Sequence, residues 1–274
     1  IPYRLEGKIV VDENLEKIDS LYERSKSLEM TGVEILKNSA LTDKEPNSKI
    51  LQGLFVPQAG VVDYKAVTEK MAAVFKQNNG EIDYFQEIVD IADGQDSKLV
   101  SSKKETFRGD FLINCAGLFS DKISKLDGLN PKVKIIPFRG EYYEIVNEKS
   151  HLLNNMIYPI ADPNLPFLGI HLTKTIDGRI EVGPNAVLAF SREGYSWGNF
   201  NLVQTIETIT YKGMLRLGSK YFKTGIDEMY RSLNKSAFVK EVNKLLPGIQ
   251  KEDLLPRPAG VRAQAVSETG ELLD

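Results

Sequence analysis

The sequence predicts a mixed α/β (α+β) chain, in which part of a Rossmann-like nucleotide-binding layer is interleaved with an antiparallel-sheet domain. Three observations point there. Residues 61–130 alternate helix and strand patterns, the texture of an α/β layer. From Lys132, "KVKIIPFRGEYYEIV", "MIYPI" and "FLGIHLTKTIDGRIEVGP" are long strand patterns with no helix between them, as in an antiparallel sheet. Residues 199–250 turn helical, and "RPAGVRAQAV" returns to a strand after Pro256 and Pro258. The expected division assigns 1–60 and 131–255 to the antiparallel domain, and 61–130 and 256–274 to the nucleotide-binding layer.

In order, Gly7–Val11 reads as a short strand. A helix follows, with Asp12 as its expected N-cap and Leu15, Ile18, Leu21, Tyr22 and Leu28 on one stripe. "VEIL" and "LQGLFVP" are strands. Asp63 caps the cleanest helical pattern, whose expected inner stripe is Val67, Met71 and Val74 and whose end is Asn79-Gly80. Asp177-Gly178 marks a two-residue hairpin turn. Pairing Ile176 with Arg179 would set Lys174 opposite Glu181, Thr173 opposite Val182 and His171 near Pro184. "LVQTIETI", "MLRLGSKYF" and "FVKEVNKLL" are amphipathic helices.

"FLINCAGLFSDKI" reads as a buried strand, Phe111 to Ile113, running into a small turn at Cys115, Ala116 and Gly117. A helix then starts near Ser120 and Asp121. Such a unit brings backbone N–H groups close to a nucleotide. The usual glycine-rich turn is absent, since no two of the 21 glycines are separated by one residue. "GMLRLGSK", Gly213 to Lys220, has phosphate-loop glycine spacing, but Ser219 precedes Lys220, and Leu215 and Leu217 belong to a helix.

Hydrophobic residues make up 42% of the 274 and charged residues 27%, as in ordinary globular chains. A net charge of −3 offers no basic footprint for nucleic acid. No apolar run reaches the ~20 residues of a membrane span. Cys115 is the only cysteine and is expected to be buried. With His151 and His171 as the only histidines, a His/Cys metal site is not expected.

Few side chains suit catalysis. Arg262 sits among small residues in "AGVRAQ", which leaves its guanidinium open to a substrate carboxylate or to a structural ion pair. Arg139 shares a strand face with Glu141 and Tyr143, so an ion pair and an anion contact are both open to it. His171 shares a face with Gly169 and Thr173, opposite Leu168, Ile170 and Leu172, and either a structural hydrogen bond or proton transfer would suit it. Tyr142, Tyr143 and Tyr158 are strand aromatics.

Together "GLFVPQAGVVDYKAV", "FLINCAGLFSDKI", "PFRGEYYE", "HLTKTIDGR", "VGPNAVLA", "MYRSLNKSAFV" and "RPAGVRAQAV" resemble the L-2-hydroxyglutarate dehydrogenase/oxidase family, within the D-amino-acid-oxidase-like FAD-dependent oxidoreductases. The resemblance runs over nearly the whole chain. It implies FAD as cofactor and oxidation of a 2-hydroxy acid, L-2-hydroxyglutarate, to 2-oxoglutarate. It implies His171 as acceptor of the hydroxyl proton or as its hydrogen-bond partner, Arg262 on a substrate carboxylate, and Arg139 and Tyr158 at the distal carboxylate. Backbone atoms of Ile88, Cys115, Ala116 and Gly117 would touch the adenosine part of FAD. The family's ADP-binding turn would lie upstream of Ile1 and its last strand and helix beyond Asp274, so the chain is expected to be the middle of such an enzyme. The expected location is cytoplasmic, either free or peripheral at the inner membrane, with oxygen or a quinone as electron acceptor. A glycerol-3-phosphate or amino-acid oxidising relative, and a truncated binding module without activity, remain the alternatives.

Overall fold

A computed structural model describes residues 1–161 and 169–273, so Leu168 and its place on the His171 strand lie outside the described residues. In chain order the strands are Tyr3–Leu5 (β1), Lys8–Val11 (β2), Glu34–Lys37 (β3), Gln52–Val56 (β4), Gly60–Val62 (β5), Ile88–Gly94 (β6), Ser97–Ser102 (β7), Thr106–Gly109 (β8), Val133–Ile145 (β9), Met156–Pro159 (β10), His171–Lys174 (β11), Ile180–Leu188 (β12), Leu254–Pro256 (β13), Gly260–Ser267 (β14) and Leu272–Leu273 (β15). The helices are Leu15–Ser27 (α1), Ser39–Lys44 (α2), Tyr64–Gln77 (α3), Ser120–Leu126 (α4), Leu202–Ile209 (α5), Lys212–Lys220 (α6), Phe222–Leu233 (α7) and Lys235–Leu245 (α8). Two compact units result: residues 1–71, 140–187 and 223–259 form the first, and 72–139, 188–222 and 260–274 the second. Residues 188–222 thus pack with the second unit, whereas the sequence division kept 131–255 together. No described helix is long and apolar enough to cross a membrane.

The first unit is built on a sheet with strand order β9-β12-β11-β10-β2-β4-β3, and β13 pairs with β9. β10 and β2 are parallel; the pairs β10–β11, β11–β12, β2–β4 and β3–β4 are antiparallel. Alternation puts Ile9, Ile157, Leu172, Ile180 and Val182 into one core, each 0–1% exposed. Helix α8 covers it with Phe238 and Val242, four residues apart on one helix face, and Leu246 just beyond joins the same core. Asn234 caps α8 by accepting from the N–H groups of Ser236 and Ala237. Helix α1 is capped by Asn14, not by Asp12; Asp12 instead accepts from the Asn14 N–H at 2.8 Å.

The β11–β12 hairpin is one residue out of the expected register. Thr175 N–H donates to the Arg179 carbonyl, so the loop holds three residues, and Gly178 takes φ +83°. Lys174 therefore pairs with Ile180, Thr173 with Glu181 and His171 with Gly183. A left-handed glycine third in the loop favours this bulged turn over the two-residue one.

In the second unit β6, β7 and β8 form a three-stranded antiparallel sheet rather than part of a parallel layer. Phe111–Ile113 is not a strand: no ladder pairs residues 110–116, and Phe111 and Ile113 are 91% and 82% exposed. Cys115 is exposed as well, contrary to expectation. Three apolar residues in a row are compatible with a buried strand, but a strand also needs a neighbour to take its backbone hydrogen bonds. Helix α4 does begin at Ser120, but Phe119 stands at its N-cap and neither Ser120 nor Asp121 caps it. The Asp121 carboxylate is 3% exposed and pairs in bidentate fashion with Arg192, at 2.6 and 2.7 Å. Helix α3 starts as expected, with the Asp63 side chain accepting from Ala66 N–H, yet its stripe is not inner: Met71 is 67% and Val74 42% exposed. Periodicity specifies a face, and says nothing of whether anything covers it.

Candidate active site

The candidate site is a cavity of about 870 Å³ in the first unit. One wall is the sheet: Tyr142 on β9, Tyr158 on β10, His171 and Thr173 on β11 and Glu181 on β12. Another part of the lining is Gly60–Tyr64, at β5 and the start of α3. Strand alternation sends His171 and Thr173 to the cavity face while Leu172 between them is fully buried in the core.

The imidazole of His171 stacks on the Tyr158 ring, with centroids 4.1 Å apart and planes 20° off parallel. Its Nδ1 lies 3.1 Å from the Gly169 carbonyl. A carbonyl can only accept, so this bond places the proton on Nδ1 and leaves the lone pair on Nε2. Burial lowers the His171 pKa below its ordinary value, and the nearby Lys8 ammonium adds to this, against an opposing push from the Gly169 bond. The ring is thus a neutral base with its acceptor nitrogen set by the fold. Tyr158 shares a 2.7 Å hydrogen bond with the Thr173 hydroxyl. Burial raises its pKa, and the Glu181 carboxylate adds to the rise, so it stays a neutral phenol.

Two arginines that the sequence did not single out also line this cavity. Arg179 reaches Glu144 at 2.7 Å and Asp177 at 2.6 Å. Arg257 reaches Glu181 at 3.2 Å and Glu144 at 3.5 Å. Both guanidinium groups are therefore held by carboxylates at the cavity edge. The signal for Arg179 was its place just past the Asp177-Gly178 turn; Arg257 sits between two prolines in "PRPAG".

Of the residues expected in a site, Tyr158 and His171 are brought together here. The others lie in the second unit. Arg139 is 1% exposed, with its guanidinium 4.2 Å from the Trp197 ring centroid. Arg262 is exposed on β14. Ile88 opens β6, paired with Ser102. Cys115, Ala116 and Gly117 form an exposed small-residue turn; Asn114 accepts from Ala116 N–H, and Gly117 has φ +53°.

Residues 1–271 match the family described as "FAD dependent oxidoreductase" (DAO). The chain belongs to that family. It is 42% identical over 278 residues to an L-2-hydroxyglutarate dehydrogenase of Indibacter alkaliphilus, covering all of this chain and 70% of that protein. It is 41% identical to the one of Escherichia coli K12, covering 98% and 64%, and 38% identical to a mitochondrial one of Caenorhabditis elegans, covering 100% and 65%. The chain thus spans about two thirds of the length of these relatives. Among solved structures, an L-α-glycerophosphate oxidase from Mycoplasma pneumoniae with FAD bound superposes at TM-score 0.72 and 19% identity, over 96% of this chain and 62% of that one. An L-proline dehydrogenase from P. horikoshii superposes at 0.65 and 14%, over 96% and 61%. These two likenesses speak to the fold, and they bear out the mixed α/β class.

FAD is the cofactor of this family, and the residues expected near it are chemically suited. A Cβ on Gly117 would meet no atom within 4 Å, so the space beside this residue is open to a flat group. The turn's own bonds take up part of its backbone: Ala116 N–H donates to Asn114, and the Ala116 and Gly117 carbonyls accept from Phe119 N–H and the Ser120 hydroxyl.

Proposed function

We propose that this chain is part of an enzyme that oxidises L-2-hydroxyglutarate to 2-oxoglutarate. The observation that carries the reading is the 42% identity, over the whole chain, to a relative bearing that activity in its name. FAD, when bound, supplies the acceptor for the C2 hydride. The protein's part is to bind, orient and take a proton. His171 accepts the substrate hydroxyl proton at Nε2; a neutral imidazole with Nδ1 fixed on the Gly169 carbonyl suits that task. Arg262 binds a substrate carboxylate through its fork of N–H donors. For the distal carboxylate, Tyr158 on the cavity wall is the contact we retain. Arg139 is enclosed and stacked on Trp197, which would have to move first. Ile88 and Cys115–Gly117 hold the adenosine part of the cofactor through backbone atoms. The first unit thus acts as substrate domain and the second as cofactor domain. The place of work that goes with this reading is the cytoplasm, either free or peripheral at the inner membrane, with oxygen or a quinone taking the electrons.

The test is the absorbance of the flavin-loaded full-length protein as L-2-hydroxyglutarate is added without oxygen. The flavin band should bleach, and the bleaching should be lost in Arg262→Ala and slowed in His171→Gln. Bound flavin that does not bleach overturns the substrate. A protein that binds no flavin overturns the oxidoreductase reading.

A further inference from the structure

The cavity of the first unit holds a guanidinium with donors to spare. Arg179 and Arg257 both line it, but they are committed to different degrees. Arg179 makes two short hydrogen bonds, from Nε to Asp177 at 2.6 Å and from Nη1 to Glu144 at 2.7 Å. Arg257 makes one side-chain hydrogen bond among the described residues, from Nη2 to Glu181 at 3.2 Å. Its contact with Glu144, at 3.5 Å, is an ion pair only. A guanidinium carries five N–H donors in a planar fork. Most of those on Arg257 are thus uncommitted, although its side chain is only 33% exposed.

The backbone under this fork is fixed. Arg257 N–H donates to the Tyr142 carbonyl at 3.0 Å, which continues the β13–β9 ladder past Pro256. Prolines at 256 and 258 lock φ on either side. The register of β11 and β12 says where the fork points along the wall. His171 pairs with Gly183; Thr173, two residues on, pairs with Glu181, the acid that Arg257 touches. Two strand residues span about 7 Å. The guanidinium therefore serves the Thr173 end of the wall, one same-face step from the imidazole. Tyr158 marks that end too, through its bond to the Thr173 hydroxyl. In 2-hydroxyglutarate two methylenes separate the reacting carbon from the far carboxyl, a reach of that order. Arg179 is spent on two carboxylates, and Arg139 is enclosed against Trp197.

We propose that Arg257 is the specificity residue of this cavity: its uncommitted N–H donors bind the substrate carboxylate farther from the reacting carbon, and Glu181 is the internal acid that competes for them. This rests on the reading of the substrate as a five-carbon 2-hydroxy diacid, and it names the residue that tells such a diacid from a monoacid.

The experiment is calorimetric titration of the full-length protein with glutarate, a diacid that has no hydroxyl to oxidise, and with pentanoate, which has a methyl group in place of the second carboxylate. The parent should bind glutarate about tenfold more tightly, or better. Arg257→Met keeps the apolar stem, removes the fork and should abolish the difference. Arg257→Lys keeps the charge without the fork and should leave part of it; this variant carries the test if the methionine variant does not fold. Glu181→Gln should enlarge the difference, because the competitor loses its charge. A purely structural Arg257–Glu181 pair predicts instead that both variants weaken both acids alike. In turnover, Arg257→Met should raise KM for L-2-hydroxyglutarate about a hundredfold and change kcat little. A parent that binds both acids equally overturns the proposal. So does an Arg257→Met protein that keeps the preference, or one that loses both acids to the same extent. Glutarate binding needs no oxidation, so a flavin that does not bleach overturns the substrate while the calorimetry still decides the role of Arg257.

Discussion

In the first unit Leu172 sits on a strand with β10 on one side and β12 on the other, and is fully buried; in the second, Phe111 stands in an equally apolar stretch and is 91% exposed. The two stretches differ little in composition. They differ in what takes their backbone hydrogen bonds and what covers their side chains. In the first unit the strands and α8 close one core without help. The interior of the second unit leans more on polar contacts, notably the Arg192–Asp121 pair and the Arg139–Trp197 stack. A unit held this way should respond to loss of charge where the other responds to loss of volume.

Removing one partner of the ion pair should be the costliest single change. Arg192 is 3% exposed, and its guanidinium also donates to the Leu118 carbonyl, so Asp121→Ala would strand a buried cation. The expected loss is about 3–5 kcal/mol, against a smaller loss when both partners are replaced by apolar residues of similar size. Denaturant unfolding of the two single variants and the double would show it. Equal losses in single and double variants would mean that this pair does not organise the unit.

Next comes Leu172→Ala in the first unit, at about 2–5 kcal/mol, because the closed core cannot collapse into the cavity left behind. Phe111→Ala should change stability by no more than about 0.5 kcal/mol. A large Phe111 effect would mean that the residue is covered in solution and would dissolve the contrast between the units.

Much of the fold was legible because it is periodic. The strands around Ile9, Leu54 and Leu172 and the helix under Phe238 follow directly from alternation and helical spacing. What was not legible depends on partners far along the chain. Asp121 reads as a helix cap, and only the fold brings Arg192 to it, 71 residues on. The β11–β12 register turned on whether the hairpin loop holds two residues or three, a one-residue matter that reassigns every cross-strand pair. Of the site, His171 and Tyr158 could be named but not paired, while the Arg179 and Arg257 lining could not be seen at all. Helix α5 was read as amphipathic, and the pattern does not say that its apolar residues Leu202, Val203, Ile206 and Ile209 are the exposed ones.

The Tyr158–Thr173 hydrogen bond should contribute about 1 kcal/mol, so Tyr158→Phe is expected to be mild in stability. Its larger use is to hold the ring on which His171 stacks, so the same variant should shift the His171 titration. A Tyr158→Phe protein whose His171 titrates as in the parent would remove Tyr158 from the support of the base.

The smallest effect is in the pH dependence of stability, and it tests the site most directly. Burial holds the His171 pKa below its usual value in the fold. The unfolded chain therefore binds this proton more readily than the folded one. The contribution of neutral His171 is fully present above the ordinary histidine pKa, ~6.5, and is lost as pH falls through the lowered folded value. His171→Gln should flatten that part of the stability profile and leave the region above pH ~7 unchanged in slope. With only His151 and His171 in the chain, the imidazole resonance that vanishes in His171→Gln is assigned at once. If that resonance titrates at or above ~6.5, the ring is not held neutral by its surroundings, and the cavity of the first unit loses its base.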